Sequence, residues 1–297
     1  MVDTSSHICS RRSLLGSLGA SGVAALSGCA SVLGGDSQSV SLLSAGSLAS
    51  LFDEHVGPAF ENETGITLHG EYYGSNAVMR MVLDERKRPD VIVSADAELL
   101  RTRLPEDLAP WDVVFASNAL VLAYDPDTET GRRLAAGEPW YEVLSTTEEP
   151  VARSDPDLDP LGYRALLLFE LAAEHYGVEG LRSALAERLV VDPKESHLLA
   201  GVETGNRAGA LVYENMAVDH DLPYVELPPA LNFSDPAYAD RYATASYTTN
   251  DGTTVTGRPI RYAVTVPTTA THPEAGRRFA AFLCSHPDRL RENGLVV

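Results

Sequence analysis

Lysine is almost missing from this chain. Lys87 and Lys194 are the only two in 297 residues, and arginine and lysine together number 23 against 42 acidic residues. The formal net charge of −19 leaves no basic footprint for a phosphate backbone, which excludes nucleic-acid binding. Cysteine is nearly as scarce. Of three, Cys9 and Cys29 fall near the N-terminus and only Cys284 lies in the body, so there is no disulfide framework and no thiolate metal site. The eight histidines form no His-Glu-x-x-His pair, which argues against a zinc hydrolase. A nucleophile elbow of the Gly-x-Ser-x-Gly type, a Ser/His/Asp set and a phosphate-binding Gly-rich loop with Lys are all missing. The chain is therefore expected to be no enzyme and to need no cofactor or free metal ion. No apolar run is long enough to cross a bilayer either.

What is present begins with Arg11-Arg12, followed by a weakly hydrophobic Gly/Ala/Leu stretch and then Leu26-Ser27-Gly28-Cys29. Paired arginines before such a stretch are the mark of a twin-arginine export signal. A small residue before Cys at its end matches a lipobox, where the thiol receives lipid and becomes the new N-terminus. Residues 1–28 are expected to be removed and residues 29–38 to form a polar tether. The mature protein, of net charge about −20, is then held by a lipid on Cys29 at the outer face of the cell membrane. A surface rich in acid and poor in lysine suits folding in concentrated salt, and rapid folding suits an export route that carries folded cargo.

Beyond the tether, strand and helix patterns alternate. Val40–Ser44, Ile66–Tyr72 and Val91–Ser94 read as strands. Between them Leu48, Leu51, Phe52, Val56 and Phe60 lie at helical spacing, and Val78, Met81 and Val82 with the charged 84–88 segment form a second helix. Such alternation predicts a parallel sheet with helical crossovers. Val113–Tyr124 reads as one long strand and Leu161–Tyr176 as the strongest helical stripe. Leu198–Glu203 reads as helix, Ala210–Tyr213 as a buried strand and Leu222–Leu227 as extended. A hairpin is predicted around Asn250-Asp251-Gly252, then a strand over Ile260–Val266 and a helix from Pro273 to Ser285. The two extended runs, 113–124 and 260–266, flank a self-contained middle segment. The predicted fold is α/β with two lobes, residues 39–117 plus 259–297 forming one and 118–258 the other, and a ligand cleft between them.

Two Gly-Ser corners, Gly46-Ser47 and Gly74-Ser75, sit where a predicted strand gives way to a helix. A helix start presents unpaired N–H groups and partial positive charge, a serine there adds a hydroxyl, and the glycine lets the backbone approach a ligand. Both corners fall at the carboxyl edge of one sheet, where open α/β folds bind ligands. Asp159-Pro160-Leu161 forms a third such start, with Asp159 as cap and Pro160 in the first turn, and Asp192-Pro193-Lys194-Glu195 a fourth. Four helix starts around one cleft would hold a dianion without lysine or arginine.

The segments AGSL (45–48), EYYGSNAV (71–78), DVIVSAD (90–96), FASNALVLAY (115–124), DPLGYRAL (159–166), LPYVELPPALNFSD (222–235) and GRPIRYAVTVP (257–267) resemble, in order, the archaeal molybdate/tungstate-binding protein family. The overall composition is similar to that of haloarchaeal proteins. This resemblance implies a periplasmic-binding-protein fold of class II. It also implies a substrate-binding lipoprotein of an ABC importer, with molybdate or tungstate as ligand, the permease and its ATPase as partners, and a monomeric chain. The ligand contacts it implies are Gly46, Ser47, Ser75, Asp159, Pro160, Leu161 and Tyr213, with Glu195 beside them. One position departs: where the family carries a glutamate that joins the aspartate in coordinating the metal of the oxyanion, this chain has Val212. Asp159 is then expected to turn away and cap its helix, leaving a four-coordinate anion held by hydrogen bonds. Another oxyanion such as sulfate or thiosulfate stays open. So does Fe(III), for which Tyr72-Tyr73 is a candidate pair, although adjacent strand residues face opposite ways. A small-molecule hydrolase and a sensory domain of the same fold are the remaining readings.

Overall fold

The computed structural model describes residues 39–193 and 197–297; the stretches expected to form the export signal and the tether, Cys29 and Glu195 lie outside the described residues. Two five-stranded sheets organise the chain. The first has the order β2 (Thr67–Tyr73), β1 (Ser39–Ala45), β3 (Val91–Ser94), β12 (Tyr262–Thr265), β4 (Val113–Ala116). The second has the order β7 (Val190–Asp192), β6 (Val151–Ser154), β8 (Gly209–Tyr213), β5 (Leu120–Tyr124), β9 (Tyr224–Glu226). A hairpin of β10 (Ser246–Thr248) and β11 (Thr254–Thr256) turns at Asn250-Asp251-Gly252, where Gly252 takes φ 84°. The molecule is a two-lobed α/β fold, one sheet to each lobe.

Strand runs with no polar face became central strands. Val91, Ile92 and Val93 are fully buried in β3, and every residue of β8 is buried. The helical stripe after Asp159 became a 17-residue helix, Pro160–Tyr176, ended by Gly177 in the left-handed conformation at φ 67°. Leu48, Leu51, Phe52, Val56 and Phe60 are all buried as the spacing requires, but along a run that changes pitch. A 3-10 turn at Gly46–Leu48 is followed by a π-helix at Leu51–Val56 and an α-helix at Gly57–Thr64.

Three expectations need correcting. The first sheet is not wholly parallel: β1 pairs in parallel with β2 and β3, whereas β12, returning from the second lobe, runs antiparallel to β3 and β4. Residues 113–124 are not one strand. The chain leaves the first sheet at Ala116, Ser117 bridges to Val296, and the Asn118 side chain accepts from the Ala119 amide before β5 begins in the second sheet. An uninterrupted strand cannot turn between two sheets, so local side-chain and bridge bonds take over the ladder bonds at that point. The charged 84–88 segment is not helical either. The helix over Ser75–Leu83 stops there, Glu85 adopts φ 55°, and the amides of Arg86 and Lys87 fold back onto the Met81 carbonyl.

The two crossing segments brace each other, since Ser117 Oγ donates to the Ile260 carbonyl at 2.7 Å. Lobe-to-lobe contact is also direct at the carboxyl edges of the sheets. The Ala77 amide donates to the Leu158 carbonyl at 3.1 Å, and Asn215 Nδ2 donates to the Ser47 carbonyl at 2.8 Å. Gly74 sits at the tightest approach: a Cβ there would lie 2.4 Å from the Leu158 carbonyl oxygen and 2.5 Å from Asp159 Cβ.

Candidate functional site

In the first lobe, β1, β2 and β3 end in turn at Ala45, Tyr73 and Ser94, which places Gly46-Ser47, Ser75 and Ala95-Asp96 along one carboxyl edge. In the second lobe, β6 and β8 run parallel, so Ser154 and Tyr213 share an edge, with Asp159-Pro160-Leu161 following from β6. Ser47, Ser75, Asp159, Pro160, Leu161 and Tyr213 are all buried.

Neither serine is a helix cap. Ala45 and Gly74 occupy the cap positions without side-chain capping bonds, and Ser47 and Ser75 lie just inside the helical turns. Neither hydroxyl therefore sits at a cap position. Ser75 Oγ accepts the Ala95 amide at 3.0 Å, and Ser47 Oγ lies 3.2 Å from the Tyr262 hydroxyl. Gly74 has a different use from the one expected: its missing side chain admits the second lobe's Leu158 and Asp159 rather than a ligand. Gly46 and Ser47 also line a cavity of about 80 Å³ whose opposite wall, Leu199, Met216, Asp219 and His220, belongs to the second lobe.

Asp159 does cap its helix. Its Oδ1 accepts the Gly162 amide at 2.9 Å, Ser154 donates to Oδ2, and the Leu161 amide lies against the same carboxylate. Burial raises its pKa from 3.8 to about 6, with these hydrogen bonds pulling the other way and Asp155 adding repulsion. Val212 is fully buried opposite Val121 in the β5–β8 ladder. Glu214, the acid next to Tyr213, is bound by the Tyr224 hydroxyl at 3.3 Å. At the fourth expected helix start, Asp192 ends β7, residues 194–196 lie outside the described residues, and an α-helix runs from Leu198. Tyr72 and Tyr73 separate as a pair: they pack against different hydrophobic clusters, one donating to Asp53 and the other to Glu71.

An arginine to which the sequence reading gave no role stands among the candidate residues. Arg164, the third residue after Leu161, is 2% exposed, and its Nη1 donates to the Tyr213 hydroxyl at 2.6 Å and to the Ala95 carbonyl at 3.0 Å. Its Nη2 lies 3.3 Å from Asp96 Oδ2. Desolvation disfavours the guanidinium, but the Tyr213 oxygen and Asp96 more than offset it, so the pKa is raised and the charge kept. Asp96 is equally buried and also accepts from Tyr163 OH at 2.6 Å and from Arg258. Desolvation pushes the Asp96 carboxyl up, and Arg164 and Arg258 hold it below its usual range. Asn118, Asn215 and Tyr262 complete the centre: Asn118 Nδ2 donates to Asn215 Oδ1 at 2.7 Å and to Tyr262 OH at 3.3 Å.

Sequence reasoning gave Arg164, Asp96, Tyr163, Arg258, Asn118, Asn215 and Tyr262 no role. Arg164 did carry a signal: with Leu161 and Leu168 it lies at three- and four-residue spacing on the buried stripe of its helix, where a charge needs partners. The Ser75 hydroxyl, which already accepts an N–H, directs its own proton elsewhere, and the buried Arg164 guanidinium binds the carbonyl of the same Ala95.

Residues 40–289 match the family described as bacterial extracellular solute-binding protein. A solute-binding protein of Halobacterium salinarum with no assigned solute is 50% identical, the alignment covering 97% of this chain and 92% of that one. A putative ABC transporter molybdenum-binding protein of Haloferax volcanii is 40% identical over 99% and 94% of the two chains. The molybdate/tungstate-binding protein WtpA of Pyrococcus abyssi is 31% identical over 78% and 76%. Among solved structures, the periplasmic molybdate-binding protein of Azotobacter vinelandii superposes with a TM-score of 0.63 at 15% identity, covering 87% of this chain and 99% of that one, which speaks to the fold alone. The chain belongs to the extracellular solute-binding proteins of ABC transporters, in the group that includes the archaeal molybdate/tungstate-binding protein.

Proposed function

We propose that this protein captures molybdate or tungstate outside the cytoplasm and delivers it to an ABC permease driven by its ATPase, without catalysing a reaction. In this reading the Arg11-Arg12 signal exports the chain, residues 1–28 are removed, and a lipid on Cys29 anchors a monomer to the cell membrane. The lobes formed by 39–117 with 259–297, and by 118–258, close on the anion. Gly46, Ser47, Ser75, Pro160, Leu161, Tyr213 and Glu195 surround it, and Asp159 keeps to its helix cap.

The observation that carries the reading is the polarity of the Ser75 hydroxyl. Its Oγ accepts from the Ala95 backbone amide, so its proton points in another direction, and the Ala95 carbonyl in turn binds the buried Arg164 guanidinium. A hydroxyl donor at a buried strand end with a buried cation close by favours an acceptor-only oxyanion. With Val212 where the family's glutamate stands, hydrogen bonds alone hold a four-coordinate ligand.

Calorimetric titration of the purified protein in high salt with molybdate, tungstate, sulfate and phosphate tests this. Tight binding of the first two with clear discrimination against the smaller sulfate is expected, because a rigid ring of donors selects by size. Sulfate binding as tightly as tungstate, or no anion binding at all, would overturn it.

A further inference from the structure

The hairpin of β10 and β11 is held by both lobes. On the second-lobe side, Arg182 Nη2 donates to the Ser246 carbonyl at 3.4 Å. Asp157 there accepts the Asn250 amide at 2.8 Å, Asn250 Nδ2 at 2.5 Å and the Tyr247 hydroxyl at 3.4 Å. The tip is shaped by its own bonds: Asp251 Oδ1 accepts from Thr249 Oγ1 at 2.6 Å and from the Thr253 amide at 3.2 Å. Its other oxygen meets the first lobe. Arg103 ends the helix Ala97–Arg103, whose Leu99 and Leu100 pack with Leu43 and Ile92 of the first sheet. Arg103 Nη2 donates to Asp251 Oδ2 at 2.5 Å and Nη1 to Thr253 Oγ1 at 2.6 Å. An arginine serving its own helix end would bond the last carbonyls there; Arg103 instead reaches 148 and 150 residues along the chain.

The same seam runs on to the candidate site. The Asp157 carbonyl accepts Arg80 Nη2 at 3.1 Å, and the Leu158 carbonyl accepts the Ala77 amide at 3.1 Å. Arg80 and Ala77 ride on the helix that begins at Ser75, and Leu158 directly precedes Asp159. Asp157 thereby ties the hairpin to the loop that meets the Ser75 helix. We propose that the hairpin is a cross-lobe latch with Arg103 as its positioning residue: bonded to Asp251 and Thr253 while the lobes are shut, Arg103 lengthens the time a bound oxyanion is held without touching it. The inference rests on the oxyanion reading. An anion enclosed between lobes leaves after they part. A contact made only in the shut form shifts the open–shut balance by its own free energy, so it slows release and leaves capture by the open form unchanged. A fully exposed ion pair alters such a balance a few-fold. Here the Arg103 side chain is 19% exposed and bonds twice, which raises the effect to about five- to tenfold.

Release of radiolabelled tungstate into excess unlabelled tungstate gives koff, and calorimetry gives Kd and hence kon. Both are measured at one fixed salt concentration for the wild type, R103Q, R103K, D251N and the double variant R103Q/D251N. R103Q and D251N are each expected to release tungstate about five- to tenfold faster, with kon within about twofold of the wild type. Asparagine keeps an oxygen for Thr249 and Thr253, so D251N removes the charge and leaves the turn. The double variant is expected to match the single ones, because all three lose the same contact, and R103K to recover part of the loss through its retained charge. Release from R103Q within about twofold of the wild type, a loss that falls on kon, or a double variant showing the product of the two single effects would overturn the latch while leaving the anion site standing. Should R103Q fold poorly, D251N and R103K carry the same test. A wild type that retains no tungstate refutes the oxyanion reading and this inference with it.

Discussion

Replacing Asp159 by asparagine separates the helix cap from the charge on it. Asparagine caps nearly as well, so the Gly162 amide keeps an acceptor while the ionisable group is lost. The folded protein holds this carboxyl at about 6, against 3.8 for an unhindered aspartate, because burial penalises the ionised form. At about pH 3 both the folded and unfolded chains carry the proton and the residue contributes no pH dependence. As pH rises from about 4 to about 6 the unfolded chain releases its proton first, so wild-type stability falls, and it levels off once the folded carboxyl has ionised too. A pKa moved from 3.8 to about 6 corresponds to about 3 kcal/mol across that window.

Urea unfolding of wild type and Asp159→Asn at half-unit steps from pH 3.5 to 8, at fixed high salt, measures the difference, in which the other titrating groups cancel. The variant is expected to gain about 3 kcal/mol relative to wild type between pH 4 and 7, whatever the constant offset from the altered bond to Ser154. A difference that stays flat within about 0.5 kcal/mol, or that runs the other way, refutes the claim that Asp159 is held above its ordinary pKa by burial.

Other expectations concern the cleft. Ser47→Ala and Ser75→Ala should each weaken tungstate binding by about 1–3 kcal/mol in calorimetry, the cost of losing a hydroxyl donor to a buried charged acceptor; binding unchanged in both removes them from the site. Gly74→Ala puts a Cβ 2.4 Å from the Leu158 carbonyl oxygen, so the lobes should be wedged apart, and small-angle scattering should show an expanded particle even with tungstate present. X-ray absorption of the tungstate complex should show four short W–O bonds; two added, longer bonds would mean that a carboxylate reaches the metal despite Val212.

Much of the fold was legible because its determinants are local. An apolar run such as Val91-Ile92-Val93, or an Asp-Pro start followed by a long apolar stripe, fixes a central strand or a helix within its own few residues. The Gly-Ser corners were legible as strand ends for the same reason, and so was the Asp159 cap. Their purposes were less so. Whether Ser75 caps its helix or receives the Ala95 amide depends on a residue 20 positions away, and Gly74 is small because of a loop in the other lobe.

By itself the sequence determined most of the element types, the alternation that yields an α/β fold, the strong net acidity, and the helix starts after Ala45, Gly74 and Asp159. These follow from propensity, periodicity and charge, which act over short spans or in sum. Only the tertiary structure decided that β12 enters the first sheet antiparallel, that the chain breaks at Ser117-Asn118 to change sheets, and that Arg164 and Arg258 share Asp96. Antiparallel entry depends on which way the chain returns from the second lobe. The shared carboxylate depends on three residues, 96, 164 and 258, brought together from both lobes and the crossing segment. A pairing of charges separated by 68 and 162 residues has no local signature; it exists once the lobes meet and water is excluded from between them.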